Sequence, residues 1–256
     1  MDDGTANQKG PRVLIYPAID LRGGKCVRLR QGDFSQETVF GDDPVVVARK
    51  WVDLGAAFLH LVDLDGARMG HPVHTAIVGE MVRAAGVPCQ LGGGLRQEEH
   101  LRAVLDVGVA RVILGTRALQ DPDWAMAMCR TFPGKVALGI DAHDGKVATE
   151  GWLHKSDLSA IDLARSFADA GPAAIIYTDI AKDGMLQGPA VEPTANLARA
   201  VPTIPVIASG GVTSLEDIAS LARAGIPGCI IGRSLYEGRL DLAKALAFSR
   251  QLARSS

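Results

Sequence analysis

The chain repeats itself at half its length, and no other feature constrains its fold as strongly. Leu91-Gly92-Gly93-Gly94-Leu95 matches Ala208-Ser209-Gly210-Gly211-Val212, a shift of 117 residues. Ile113-Leu114-Gly115 matches Ile230-Ile231-Gly232 at the same shift. Leu61-Val62-Asp63 with Asp65-Gly66 resembles Tyr177-Thr178-Asp179 with Asp183-Gly184, at shifts of 116 to 118. Ala18-Ile19-Asp20 with Gly24-Lys25 resembles Gly139-Ile140-Asp141 with Gly145-Lys146, at a shift of 121. A fold that accommodates this pattern must place two similar halves in equivalent surroundings.

Short apolar runs alternate with amphipathic stretches along both halves. The predicted strands are Val13–Ile19, Phe58–Val62, Pro88–Leu91, Arg111–Leu114, Val136–Ile140, Ala174–Thr178, Ile204–Ala208 and Cys229–Ile231. They are rich in Val and Ile and largely unbroken by polar residues, as strands covered on both faces are. The predicted helices are Pro44–Leu54, Thr75–Ala85, Glu98–Val107, Trp124–Thr131, Leu158–Ala170, Pro193–Ala200, Leu215–Ala224 and Leu240–Leu252. Gly55, Gly86, Gly108, Gly171 and Gly225 stand where several of these would stop. Strict alternation implies a parallel sheet, and eight units imply closure. An open doubly wound sheet fits the alternation but not the twofold repeat. The expected architecture is a single α/β domain, a (β/α)8 TIM barrel made of two half barrels. It occupies residues 12–256, and 1–11 form a polar, flexible leader.

Composition narrows the function. Of 256 residues, 47% are hydrophobic and 22% charged, a globular balance. The net charge of −2 and an aromatic content of 5% give no electrostatic or stacking footprint for nucleic acid. No apolar run reaches the roughly 18 residues of a membrane span, and the N-terminus lacks a signal-peptide layout. Cys26, Cys89, Cys129 and Cys229 are not spaced as a zinc or redox motif. Buried, reduced thiols in a cytoplasmic protein are expected.

The matched aspartates carry the first chemical signal. Asp20 and Asp141 end strands 1 and 5, which face each other across an eight-stranded ring. Both then lie at the C-terminal mouth, where barrel enzymes do their chemistry. Two carboxylates on opposite sides of a substrate can serve as base and acid if their surroundings differ. The alternative is a loop-capping role for each.

The matched glycine turns carry the second signal. Gly93-Gly94 and Gly115-Thr116 follow strands 3 and 4; Gly210-Gly211 and Gly232-Arg233 follow strands 7 and 8. Glycine lets backbone N–H groups approach an anion, and a following helix N-terminus adds positive potential. The strand 7/8 position is the usual phosphate site of such barrels. Its duplication implies a small-molecule substrate with a phosphate at each end.

Lesser features are open to two readings. His60 either points into the barrel mouth or is a satisfied core histidine. Trp152 either covers a flat ring of the substrate or packs its loop. His71 and His74 lack further ligands at metal spacing, so no metal is expected. The sequence contains neither GxxxxGK[ST] nor GxGxxG.

Taken together these motifs resemble a known family. Pro17-Ala18-Ile19-Asp20-Leu21-Arg22-Gly23-Gly24-Lys25, Leu61-Val62-Asp63-Leu64-Asp65-Gly66-Ala67 and Gln90-Leu91-Gly92-Gly93-Gly94-Leu95-Arg96 are similar to signatures of the histidine-pathway isomerase. So are Gly151-Trp152, Tyr177-Thr178-Asp179-Ile180-Ala181-Lys182-Asp183-Gly184 and Ala208-Ser209-Gly210-Gly211-Val212. That family acts on phosphoribosylformimino-5-aminoimidazole carboxamide ribotide. The similarity runs from about Val13 to Leu252. It implies a cofactor-independent Amadori rearrangement, with Asp20 as base, Asp141 as acid and Thr178 orienting the substrate. It also implies substrate contacts from Arg22, Trp152, Asp183 and Gly184, with His60 in support. A monomer suffices, since one barrel holds the whole site.

Three other readings remain open at this point. The sister cyclase of the same pathway shares the half repeat, but usually carries Cys-Leu-Asp where this chain has Ala18-Ile19-Asp20. A dual-substrate isomerase would also accept phosphoribosyl anthranilate, through Arg22 and Trp152. A non-catalytic phosphosugar-binding barrel would have lost an acid or a base, whereas Asp20 and Asp141 are both present. The pair His143-Asp144 departs from the basic-and-glycine pair often found there, which bears on the geometry of the loop after strand 5.

Overall fold

The computed structural model describes residues 12–30, 32–149 and 154–254. The expected leader, residues 1–11, and Trp152 lie outside the described residues. The strands in chain order are β1 (Leu14–Arg22), β2 (Lys25–Arg30), β3 (Asp33–Gly41), β4 (Leu59–Asp63), β5 (Cys89–Gly92), β6 (Arg111–Leu114), β7 (Val136–His143), β8 (Lys146–Thr149), β9 (His154–Ser159), β10 (Ala174–Asp179), β11 (Val206–Ser209) and β12 (Gly228–Ile231). Eight of them form a closed parallel ring in the order β1-β4-β5-β6-β7-β10-β11-β12 and back to β1. Helices fill the crossovers, so the chain is a (β/α)8 barrel.

The half repeat governs the register of every strand pair. Ala18 pairs with His60 in the first half, and Gly139 pairs with Ile176 in the second. Leu59 pairs with Cys89, as Ile175 does with Val206. Gln90 pairs with Arg111, as Ile207 does with Gly228. The two seams between halves also agree: Ile113 pairs with Ala137, and Ile230 with Tyr16. Each strand alternates its side chains between barrel interior and helix layer, with a period of two. Tyr16, Ala18, Ile113, Ala137, Ala174, Ile176, Ile207 and Ile230 fill the interior. A larger cluster, including Ile15, Ile19, Leu59, Leu61, Leu91 and Leu114, packs between strands and helices.

Several predicted elements differ from the observed ones. β1 and β7 run past the barrel into antiparallel arms, β1-β2-β3 and β7-β8-β9, that were expected to be loops. Asp20 and Asp141 therefore lie inside their strands rather than ending them. Both arms start with a two-residue turn in the left-handed region: Gly23-Gly24 at φ 55° and 76°, and Asp144-Gly145 at φ 53° and 76°. Such turns match the right-handed strand twist, and Asp is among the few non-glycine residues that adopt this φ. The altered pair in the loop after β7 is thus accommodated, with the same turn as its counterpart. The helix expected over Leu158–Ala170 begins only at Ala160, because β9 extends to Ser159, whose hydroxyl caps it. The short helices Leu64–Met69, Thr116–Gln120 and Arg233–Tyr236 were not expected; each is too brief to show an amphipathic period.

Gly94 and Gly211 are half-repeat partners that close the βα loops over the barrel mouth. At Gly211 (φ 82°) a Cβ would lie 2.1 Å from the Gly188 carbonyl oxygen; at Gly94 (φ 74°) it would lie 2.6 Å from that of Gly66. Gly225 (φ 74°) has the same strained φ with nothing within 4 Å. In urea melts, Gly225→Ala should cost about 1 kcal/mol, from conformation alone. Gly211→Ala should cost about 3 kcal/mol or more, because the loop backbone must also move. Equal losses would show that the close approach carries no energy.

Candidate active site

The uppermost inward layer of the barrel assembles the site. Asp20 stands in register with Val62, and Val62 with Gly92. On the opposite side Asp141 stands in register with Thr178, and Thr178 with Ser209. All six line one cavity of about 840 Å³ at the C-terminal mouth. Strands β1 and β7 are four places apart in the ring, so Asp20 and Asp141 approach the cavity from opposite walls.

The surroundings of the carboxylates differ. Asp20 is buried, and its Oδ2 accepts from Arg28 Nη1 at 2.9 Å. Burial pushes its pKa up to about 6; Arg28 opposes this and the charge of Asp183 adds to it. Asp183, in the loop after β10, also lines the cavity. Its pKa is raised by burial, opposed by Arg28, and raised further by the charge of Asp141. The cation of Arg28 therefore faces both Asp20 and Asp183. Arg28 was not anticipated from sequence. It comes from β2, whose Val27 pairs with Asp20 once the arm folds back. The Gly23-Gly24 turn followed by Cys26-Val27-Arg28-Leu29 carried that signal. Gly232 makes room for it, since a Cβ there would lie 2.2 Å from Arg28 Nη2.

The glycine turns meet the same cavity from two sides. Gly93, Gly94, Gly115 and Thr116 line one end, and Gly210, Gly211, Gly232 and Arg233 the other. Helices Thr116–Gln120 and Arg233–Tyr236 start there with no side-chain cap bonded to their N-termini. Their first N–H groups are free to receive an anion. Arg68, Arg96 and Arg117, also unanticipated, line the cavity too. Arg233 Nη1 donates to the Gly184 carbonyl at 2.7 Å, and its Nε pairs with Glu237. It thereby ties the loop that carries Asp183 to the mouth.

The remaining predicted residues divide. Thr178 is buried beside Asp141 and lines the cavity, as Gly184 does. His60 lines the cavity from the layer below Asp20, with Nδ1 2.8 Å from Gln90 Nε2. Arg22 is not among the lining residues. It lies on the arm, bonded to the Phe34 carbonyl at 3.0 Å and paired with Glu37, over the Phe34 ring. β1 stays in the barrel wall through Leu21, which pairs with Asp63, and Arg22 pairs with Lys25 at the start of the arm. Asp63 and Asp179 are structural: Asp63 accepts from the Gly66, Val73 and His74 amides, and Asp179 from Ala181. Among the described residues no group of three or more His, Cys, Asp or Glu is placed to hold a metal ion.

Removing Arg28 should raise the Asp20 pKa above its value of about 6, because the guanidinium is the influence that lowers it. In Arg28→Met the carboxyl resonance of Asp20, followed by carbon NMR against pH, should titrate at higher pH than in the parent. An unchanged midpoint would mean the pair is not coupled.

Comparison with known proteins places the site in context. A family model described as histidine biosynthesis protein matches residues 14–241. A protein of Rhodopirellula baltica is 53% identical over 239 residues, covering 92% of this chain and 94% of its own. One of Marinobacter nauticus is 53% identical over 244 residues, covering 94% and 99%. One of Ruegeria sp. is 54% identical over 237 residues, covering 92% and 98%. The first two are named 1-(5-phosphoribosyl)-5-((5-phosphoribosylamino)methylideneamino) imidazole-4-carboxamide isomerase, and the third bears the same name followed by the numeral 2. The matched region spans the barrel from β1 to the start of its last helix, with both aspartates and all four glycine turns inside it. The chain belongs to the histidine biosynthesis protein family.

Proposed function

We propose that this protein is the aldose–ketose isomerase of histidine biosynthesis that its relatives are named for, and that it works by an acid–base Amadori rearrangement. The observation that carries the reading is the pair Asp20 and Asp141, on opposite walls of a cavity with a glycine-lined anion turn at each end. A substrate with a phosphoribosyl unit at either end fits that plan. Its two phosphates would occupy the turns and hold one ribose between the carboxylates.

The acid side protonates the ring oxygen of the aminoaldose. The C1–O bond breaks as the nitrogen lone pair forms a protonated imine at C1. Asp20 then removes the C2 proton, and the electron pair moves into a C1–C2 double bond, giving the enolaminol. Loss of the C2 hydroxyl proton and protonation at C1 yield the aminoketose. The substrate nitrogen is the electron sink, so no cofactor is called for. A base with a pKa near 6 is largely ionised at neutral pH yet still accepts a proton readily. On the acid side Asp141 and Asp183 lie within electrostatic reach of each other. The charge of Asp141 disfavours ionisation of Asp183, which favours a proton on this side of the cavity, and Asp141 is the group assigned to deliver it. Thr178 orients the ribose hydroxyls from beside Asp141.

Arg22, one of the two contacts suggested for phosphoribosyl anthranilate, is held on the arm by Glu37 and by Phe34, and Phe34 itself lines the cavity. One barrel carries every residue named here, so a monomer would be competent. No helix among the described residues is long and apolar enough to cross a membrane, and the four buried free thiols suit the reducing cytoplasm.

Turnover of the aminoaldose, coupled to the cyclase, tests the reading. Asp20→Asn should lower kcat by about 10³-fold while still binding a bisphosphate product analogue. Asp141→Asn should lose as much, and Asp183→Asn should lose activity chiefly at the alkaline end, where the retained proton is scarce. Near-parental turnover in Asp20→Asn would remove the assigned base.

A further inference from the structure

Below the catalytic layer, the first half of the barrel interior carries three linked polar side chains where the second half carries none. His60, Gln90 and Arg111 occupy the register positions of Ile176, Ile207 and Gly228. The same fold therefore packs these positions without polar groups, and filling the barrel does not require them. Gln90 is fully buried. Its Oε1 accepts from Arg111 Nε at 3.0 Å and Nη2 at 2.5 Å, and its Nε2 lies 2.8 Å from His60 Nδ1. The Arg111 guanidinium is itself held over the Phe58 ring, 5.3 Å from the centroid.

Donor and acceptor chemistry fixes the rest. A guanidinium only donates, so the Gln90 carbonyl must face Arg111 and its amide nitrogen must face His60. That nitrogen also donates, so Nδ1 must be an acceptor and the ring proton sits on Nε2. We propose that Gln90 and Arg111 are positioning residues that lock His60 in the neutral Nε2–H form, giving the cavity floor one fixed, uncharged donor for a hydroxyl oxygen of the opened sugar.

The lock has two consequences for the reaction. An imidazolium at this place would lower the basicity of Asp20, and an Nδ1–H ring would offer a second, competing base. Burial and the charges of Arg28 and Arg111 act in the same direction, pushing the imidazole pKa down to about 3. The donor is thus present across the working pH range, and the acid limb of the rate profile belongs to Asp20 alone. The role in catalysis rests on the isomerase reading; the tautomer itself does not.

Nitrogen NMR of the uniformly labelled protein reads the lock directly. The His60 ring should have a pyridine-like Nδ1 and a pyrrole-like Nε2 from neutral pH down to about pH 5. A protonated Nδ1, in either the neutral ring or the imidazolium, would overturn the proposal. The isosteric Gln90→Glu places an acceptor against Nδ1 and should protonate it. With that change, kcat should fall about tenfold with a smaller change in KM. A switched tautomer with parental kcat would refute the role. Should Gln90→Glu not fold, His60→Gln and His60→Leu decide the same point. Gln retains an N–H at the Nε2 position and should recover part of the kcat lost in Leu; equal losses would count against the donor. If the parent protein does not turn over the aminoaldose, the isomerase reading fails, and the nitrogen spectrum still decides the tautomer.

Discussion

Everything at the mouth of this barrel depends on two seams closing in the same register. Where β6 meets β7, Val112, Ile113 and Leu114 pair with Val136, Ala137 and Leu138. Where β12 meets β1, Cys229, Ile230 and Ile231 pair with Ile15, Tyr16 and Pro17. These are the same contacts made by the two copies of one pattern. A slip of one residue at either seam would turn every inward side chain outward. It would also bury the carboxylates of the slipped half among the helices. Closure in register is what makes two similar sequences into two facing walls.

Within that symmetry, function comes from the positions where the halves part. Val62 stands beside Asp20, and Thr178 stands beside Asp141. Asp65 and Asp183 follow equivalent strands, yet they do different work. Asp65 accepts from the Gly23 amide and pairs with His74, fastening the first arm to the barrel. Asp183 instead faces the cavity and shares Arg28 with Asp20. A duplicated carboxylate layer with unlike neighbours is a direct way to separate the affinities of two groups for a proton. The interior layer below repeats the theme, with His60 and Gln90 opposite Ile176 and Ile207.

Much of this was legible beforehand. The repeat shifts gave the strand count, the opposition of Asp20 to Asp141 and the pairing of the four glycine turns. What escaped reading was set by contacts between distant segments. The two arms lie in stretches too polar to register as buried strands, and they are held by turns and antiparallel ladders. Arg28 therefore drew no attention in the sequence, although its arm returns it to Asp20. Arg22 was expected at the site from the family resemblance alone, and its partners on the arm, Phe34 and Glu37, could not be read from sequence. Gln90 was read as part of a strand and of a family signature, since nothing local marks it as the link between His60 and Arg111.

By itself, then, the sequence determined the parallel barrel, its twofold division and the types of group that face its mouth. Those follow from periodicity and repeat spacing, which are local and additive along the chain. Only the tertiary structure decided which charges meet. It brought Arg28 between Asp20 and Asp183, set Arg22 aside with Glu37, and placed a donor-only guanidinium behind Gln90. Electrostatic and hydrogen-bonding partners are chosen by distance and direction in space, and residues far apart in the chain acquire both only when the ring closes.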